Sequence, residues 1–421
     1  MFSFAVICYC LFPYDNVKWI GFFETGEIMT ETINEKTTDA LFGFTAAGKV
    51  FSCALAFAAC LSLNIYSALI CCAACLTASV MRKNTVLCPD AFLIVPLVFV
   101  ATSCGASYLP VTLLAGAALY FLLSIPALKK TDGFFGLSSL PLSCRLGVSA
   151  GLAFSVTALL TTYYFGIGAT GATVLEMLKN YRYLGFHPNW RGVFYGTITL
   201  FAMITYPFKF KKLSQYLPAE VVSLFIPFAL NVVLNPNRAE TPILEVGSLG
   251  FMNGLSGVKD FLPIIKTGFT DPSVLPVVLK GAFSVGVLLF FLSENRKDIV
   301  PTSSANGVSA LFGGIPAAPQ PIKAYGAASA AMGIIAAVTV TLMSVPVSRL
   351  PVHSLAVVLI VSAWKKVKFG SFSEMMKREK LLGLLVFLAC AASFVFFDIG
   401  RALTICIVLS AVTAFNGRRA K

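Results

Sequence analysis

Gly313-Gly-Ile-Pro-Ala-Ala-Pro-Gln-Pro-Ile-Lys323 and Cys88-Pro-Asp-Ala-Phe92 decide how this chain is read, because each sets proline or glycine at the head of a short apolar run. Proline lacks an N–H and disfavours a helical residue before it, so a helix ends at such a stretch and another starts beyond it. Two readings are open. Pro89, Pro316, Pro319 and Pro321 either kink or end ordinary helices, or they mark half-helices that begin inside an apolar layer. In the second case, unpaired N–H groups and the positive end of the helix dipole are available to hold an anion.

The flanking sequence supplies the apolar layer. Of 421 residues, 57% are hydrophobic and 12% charged, about half the charged fraction of a soluble domain. Apolar runs of the roughly 20 residues needed to cross hydrocarbon recur along the chain, most plainly at 109–128, 147–160, 217–233, 279–292 and 381–397. The alternating pattern of an outer-membrane barrel is absent, so the spans are expected to be helices with internally satisfied backbones. Apolar runs and turn signals predict an all-α polytopic membrane protein of about a dozen to fourteen segments. In a seven-plus-seven count the two proline-marked stretches open the third segment, 90–106, and the tenth, 319–328, with an eleventh at 329–346.

The net charge of +13 does not form a nucleic-acid patch. Arg82 and Lys83, Lys129 and Lys130, Lys209 with Lys211 and Lys212, Arg296 and Lys297, the group from Lys365 to Lys380, and Arg418, Arg419 and Lys421 all follow even-numbered segments. The positive-inside rule places those loops and the C-terminus in the cytoplasm, with the chain in an inner or plasma membrane. The 12 cysteines lie mostly in apolar stretches, without zinc-ligand spacing. No carboxylate cluster accompanies His187 or His353, so neither a metal site, a cofactor nor a hydrolytic or redox enzyme is expected. The apolar start, 1–13, is too short to span and lacks secretory-signal features.

The order of local patterns resembles the sulfate permease family, also called SulP or solute-carrier family 26. Asp39-Ala-Leu-Phe-Gly43-Phe-Thr45 followed by Ala54-Leu-Ala-Phe-Ala58 is similar to its first span, and Cys88-Pro89-Asp90-Ala91 to the opening of its third. Ala305-Asn-Gly-Val-Ser-Ala-Leu-Phe-Gly-Gly-Ile-Pro316 resembles the passage into its tenth, and Ser348-Arg-Leu-Pro351 and Phe397-Asp398-Ile-Gly400 resemble elements of its last spans.

The resemblance implies a 7+7 inverted-repeat transporter with core and gate domains. After an N-terminal segment at 1–38, the core halves fall at 40–130 and 275–346. The gate halves fall at 141–235 and 351–416, and an exoplasmic loop at 236–274. It implies elevator-like carriage of a small inorganic or carboxylate anion such as sulfate, bicarbonate or chloride, in a lipid bilayer and as a possible homodimer, with no nucleic acid. The substrate-binding residues carried over are Ser52, Cys53, Ala91, Phe92, Gln320, Ile322 and Lys323. Lys323 stands where most members have arginine, which keeps a cation and loses the bidentate fork.

Several positions depart from the pattern. Ser52 and Cys53 replace a proline–glutamine pair, and Leu292 replaces a carboxylate, with Glu294 on a different helix face. Lys49 is an added cation in the first span, and Asp90 opposes anion binding unless it caps the half-helix. The chain ends at Lys421, so the STAS domain of most members is not expected. The competing expectations are a nucleobase-type permease of the same fold and a non-transporting membrane scaffold.

Overall fold

The computed structural model describes residues 35–63, 65–80, 85–128, 139–167, 171, 173–234, 261–293, 295–312, 314–320, 326–342, 347 and 349–419. The first half runs α1 Glu35–Cys60, α2 Ile65–Ser79, β1 Val86–Pro89, α3 Ile94–Cys104, α4 Leu109–Leu128, α5 Leu142–Phe165, α6 Val174–Leu184, α7 Trp190–Lys209 and α8 Ala219–Leu234. The second runs α9 Phe261–Thr270, α10 Leu275–Leu292, α11 Ile299–Phe312, β2 Ala317–Gln320, α12 Gly326–Leu342, α13 Val352–Trp364, α14 Gly370–Phe396 and α15 Ile399–Arg419. Among the described residues five helical stretches are long and apolar enough to cross a membrane, and several shorter apolar helices accompany them.

The packing repeats itself. α4 packs on α10 and α11 as α12 packs on α1 and α2; α5 packs on α14 as α13 packs on α7; α8 meets α1 as α15 meets α10. Two halves of the chain thus have the same architecture in opposite sense. β1 and β2 pair antiparallel at the pseudo-twofold, with Val86 opposite Gln320 and Pro89 opposite Ala317.

These four-residue strands are a small addition to an all-α architecture. The residue before each proline is pushed toward extended backbone, and Cys88-Pro89 and Ala318-Pro319 are both such pairs. Strand pairing, together with side chains of the flanking helices, supplies partners for N–H and C=O groups that an apolar layer leaves without water.

A second difference lies at the tenth segment. A boundary is expected between 328 and 329, but α12 runs unbroken from Gly326 to Leu342. Its sequence, Gly-Ala-Ala-Ser-Ala-Ala-Met-Gly, contains nothing that stops a helix, and its small side chains let it press on α1. A Cβ on Gly43 would stand 2.5 Å from the Ser329 carbonyl oxygen, and one on Gly333 3.1 Å from that of Gly43. Five residues, 321–325, separate β2 from α12.

Candidate functional site

The ribbon is held in place by side chains that act as surrogate backbone. Asn306 of α11 donates from Nδ2 to the carbonyls of Thr302 and Ala317, each at 2.8 Å, and its Oδ1 accepts the Ala317 N–H at 2.8 Å. Ser309 donates to the Ile315 carbonyl at 2.6 Å. In the first repeat Ser79 Oγ accepts the Leu87 N–H at 3.2 Å. Gly314 turns the chain into β2 with φ of +74°, a region that favours glycine. The run 305–316 thus builds the entry to the ribbon.

At the other end of β1, Asp90 caps the helical stretch that becomes α3. Its Oδ1 accepts the Phe92 N–H at 3.0 Å, as the sequence requires if a carboxylate is to be tolerated there. Asp90 Oδ2 is ion-paired with Lys366, which follows α13, and the Lys366 ammonium also lies 5.5 Å from the centre of the Phe92 ring. The Asp90 side chain is 1% exposed and that of Lys366 24%, so this pair is shielded from solvent.

Further charges surround the pair. Lys365 Nζ lies 3.6 Å from Oε1 of buried Glu220, at the start of α8. Lys49 of α1 is partly buried and within electrostatic reach of Glu220, Cys88, Cys53 and Asp90; among the described residues no carboxylate stands within ion-pair distance of it. Among the described residues three ammonium groups, Lys49, Lys365 and Lys366, thus accompany two carboxylates, Asp90 and Glu220, a surplus of one positive charge.

The structure brings some of the expected residues together and separates others. Ser52, Cys53, Ala91 and Phe92 are all buried, and the Cys53 thiol is a hydrogen-bond partner of Cys88 on β1. Gln320 is buried too, but it faces Val86, at the far end of β1 from Ala91 and Phe92. At about 3.3 Å per strand residue, some 13 Å of ribbon separates the two groups. Ile322 and Lys323, with Tyr325 and Glu294, lie outside the described residues.

Lys366 and Glu220 were not singled out from sequence. The signal available was modest: a basic cluster read as a loop, and a lone carboxylate heading an apolar run. Only folding shows that the cluster's second lysine turns inward.

On the opposite repeat, α10 and α15 carry a related contact. Lys280 Nζ stands 3.3 Å from Asp398 Oδ2, and Arg401 Nε 3.4 Å from the same oxygen. A pocket beside it, lined by Val95, Phe99 and Ser284 among others, encloses about 20 Å³, room for about one water molecule.

Apolar helices in an inverted repeat around a paired ribbon define a multi-pass membrane transporter fold. Its structural neighbours are SulP/SLC26 anion transporters. The transmembrane domain of a cyanobacterial bicarbonate transporter, BicA, superposes with a TM-score of 0.67 at 16% identity, covering 90% of this chain and all (100%) of that one. SLC26A9 superposes with a TM-score of 0.67 at 11% identity, covering 98% of this chain and 69% of that one. The murine Slc26a9 anion transporter in its inward-facing state gives 0.63 at 11% identity, covering 98% and 75%. No protein-family model and no curated protein sequence matches the chain. The likeness is therefore one of fold.

Proposed function

We propose that this protein carries a small inorganic or carboxylate anion across an inner or plasma membrane. The observation that carries the reading is the surplus of positive charge among the described residues, in which exposed Lys365 and partly buried Lys366 and Lys49 stand near buried Asp90 and Glu220, placed where β1 becomes helix. An ammonium removed from water is costly unless a negative group accompanies it, so such a surplus attracts an anion. The fold supports the same reading, since one neighbour is described as a bicarbonate transporter and another as an anion transporter.

In this proposal α1–α4 with α10–α12 form a core that moves, elevator-like, against a gate of α5, α7, α8 and α13–α15. Ser52, Cys53, Ala91 and Phe92 line the anion's position from one end of the ribbon and Gln320 from the other, and Ile322 and Lys323 belong to the same proposed set of contacts. The basic loops and the C-terminus face the cytoplasm, and two copies associate as a homodimer.

The test is uptake of labelled sulfate, bicarbonate, chloride and oxalate into proteoliposomes, with Lys323→Ala and Gln320→Ala alongside. Saturable uptake of at least one anion, reduced in both variants, is expected; no saturable uptake of any anion overturns the proposal.

One observation favours a second reading. Cys53 and Leu292 stand where the family resemblance leads one to expect polar residues, and a non-transporting membrane scaffold that retains the fold accounts for their loss. Absence of uptake together with a co-purifying partner protein would select it.

A further inference from the structure

The anion site of the proposed carrier is already occupied by a negative group, the chain's own Asp90. One oxygen takes the N–H that opens the helix, at Phe92; the other takes the Lys366 ammonium. These contacts come from opposite sides of the proposed moving interface, Phe92 from the core and Lys366 from the gate. Both donors are satisfied by the two oxygens of a single planar carboxylate.

We propose that Asp90 is a tethered competitor of the transported anion, and that Lys366 and the Phe92 N–H are contacts the anion makes once Asp90 has been displaced. The inference rests on the transport reading and adds to it a residue that sets affinity and a preferred ligand shape. Two like charges do not share one donor set, so an incoming anion binds only as Asp90 withdraws. Lys49, in electrostatic reach of Asp90 where it stands, is a second cation toward which the carboxylate can turn. A ligand of the same form, two oxygens on one trigonal carbon, replaces Asp90 contact for contact. Bicarbonate, formate and acetate have that edge. Chloride presents one centre and meets the two donors less well.

A tethered group competes through its effective concentration, so its removal tightens binding without any new contact being made. Neutralising Asp90 therefore lowers the KM for anions, whereas neutralising Lys366 raises it. With Lys366 already neutralised, the cation for which the two compete is gone, and neutralising Asp90 as well has a smaller effect.

The experiment is uptake of labelled formate, bicarbonate and chloride by the full chain in proteoliposomes, comparing wild type, Asp90→Asn, Lys366→Gln and the double variant. Asp90→Asn is expected to lower the KM for formate and bicarbonate roughly tenfold, and that for chloride less. Lys366→Gln is expected to raise it, and the double variant to resemble Lys366→Gln. An unchanged or raised KM in Asp90→Asn, or two effects that simply add, would overturn the proposal.

Thermal unfolding in detergent, with and without sodium formate, provides a readout independent of transport. Formate is expected to stabilise Asp90→Asn more than wild type. If wild type takes up no anion, the transport reading fails, and the tethered-ligand proposal is then decided by this binding measurement: equal stabilisation of the two proteins overturns it. If Asp90→Asn does not fold, the Lys366→Gln variant decides, and a KM or formate response equal to wild type overturns the proposal.

Discussion

Asn306 does for β2 what a neighbouring strand would do, returning both an acceptor and a donor to Ala317. Because the site is buried, an alanine at this position leaves an N–H and a C=O without partners. Each unpaired group costs on the order of 1–3 kcal/mol. Asn306→Ala is expected to destabilise the protein by about 3 kcal/mol, measured as a lowered unfolding midpoint in detergent; an unchanged midpoint would remove Asn306 from this role. The residue was legible as part of a family-like run, but its task was not, since a buried asparagine in an apolar helix has no visible partner until the chain folds back. Asp90 is the reverse case. Its capping role followed from its place before Ala91 and Phe92, whereas the pairing with Lys366 spans 276 positions in sequence, and no local pattern encodes it.

Helix contacts are decided by where the backbone can come close. On α5, a Cβ at Gly147 would stand 2.6 Å from the Cys390 Cβ and 2.7 Å from the Phe387 carbonyl oxygen, both on α14. On α11, a Cβ at Gly307 would meet nothing within 4 Å. The same substitution should therefore have opposite signs. Gly147→Ala forces α5 and α14 apart and is expected to cost about 1–3 kcal/mol. Gly307→Ala gains helix propensity of up to about 1 kcal/mol, and its unfolding midpoint should be equal to or above that of wild type. Equal shifts in the two variants would show that α5 and α14 are not packed as described. The existence of the spans was legible because length and hydropathy dictate it. The tenth-segment boundary was not, because the prolines mark where a strand begins and say nothing about how soon the next helix starts. Among the described residues the next α-helix is α3 in the first repeat and α12 in the second.

Over the whole molecule, the inverted repeat sets which ends of the helices share a face. α7 separates Tyr183, at the end of α6, from Lys212, and the lysine cluster after α13 belongs with Lys212 if basic loops face the cytoplasm. Single cysteines at Lys212 and Lys368 are expected to react with an impermeant thiol reagent from the cytoplasmic side of oriented vesicles, and one at Tyr183 from the opposite side. Labelling of all three from one side would overturn this topology.

The ribbon also makes each half of the chain depend on the other. Val86 and Gln320 stand 234 positions apart in sequence yet pair as neighbours, so neither repeat supplies the partner of its own strand. A half made alone would carry an unpaired edge into an apolar layer, where no water takes the place of the missing strand. The two repeats are thus complementary pieces, each a template for the other.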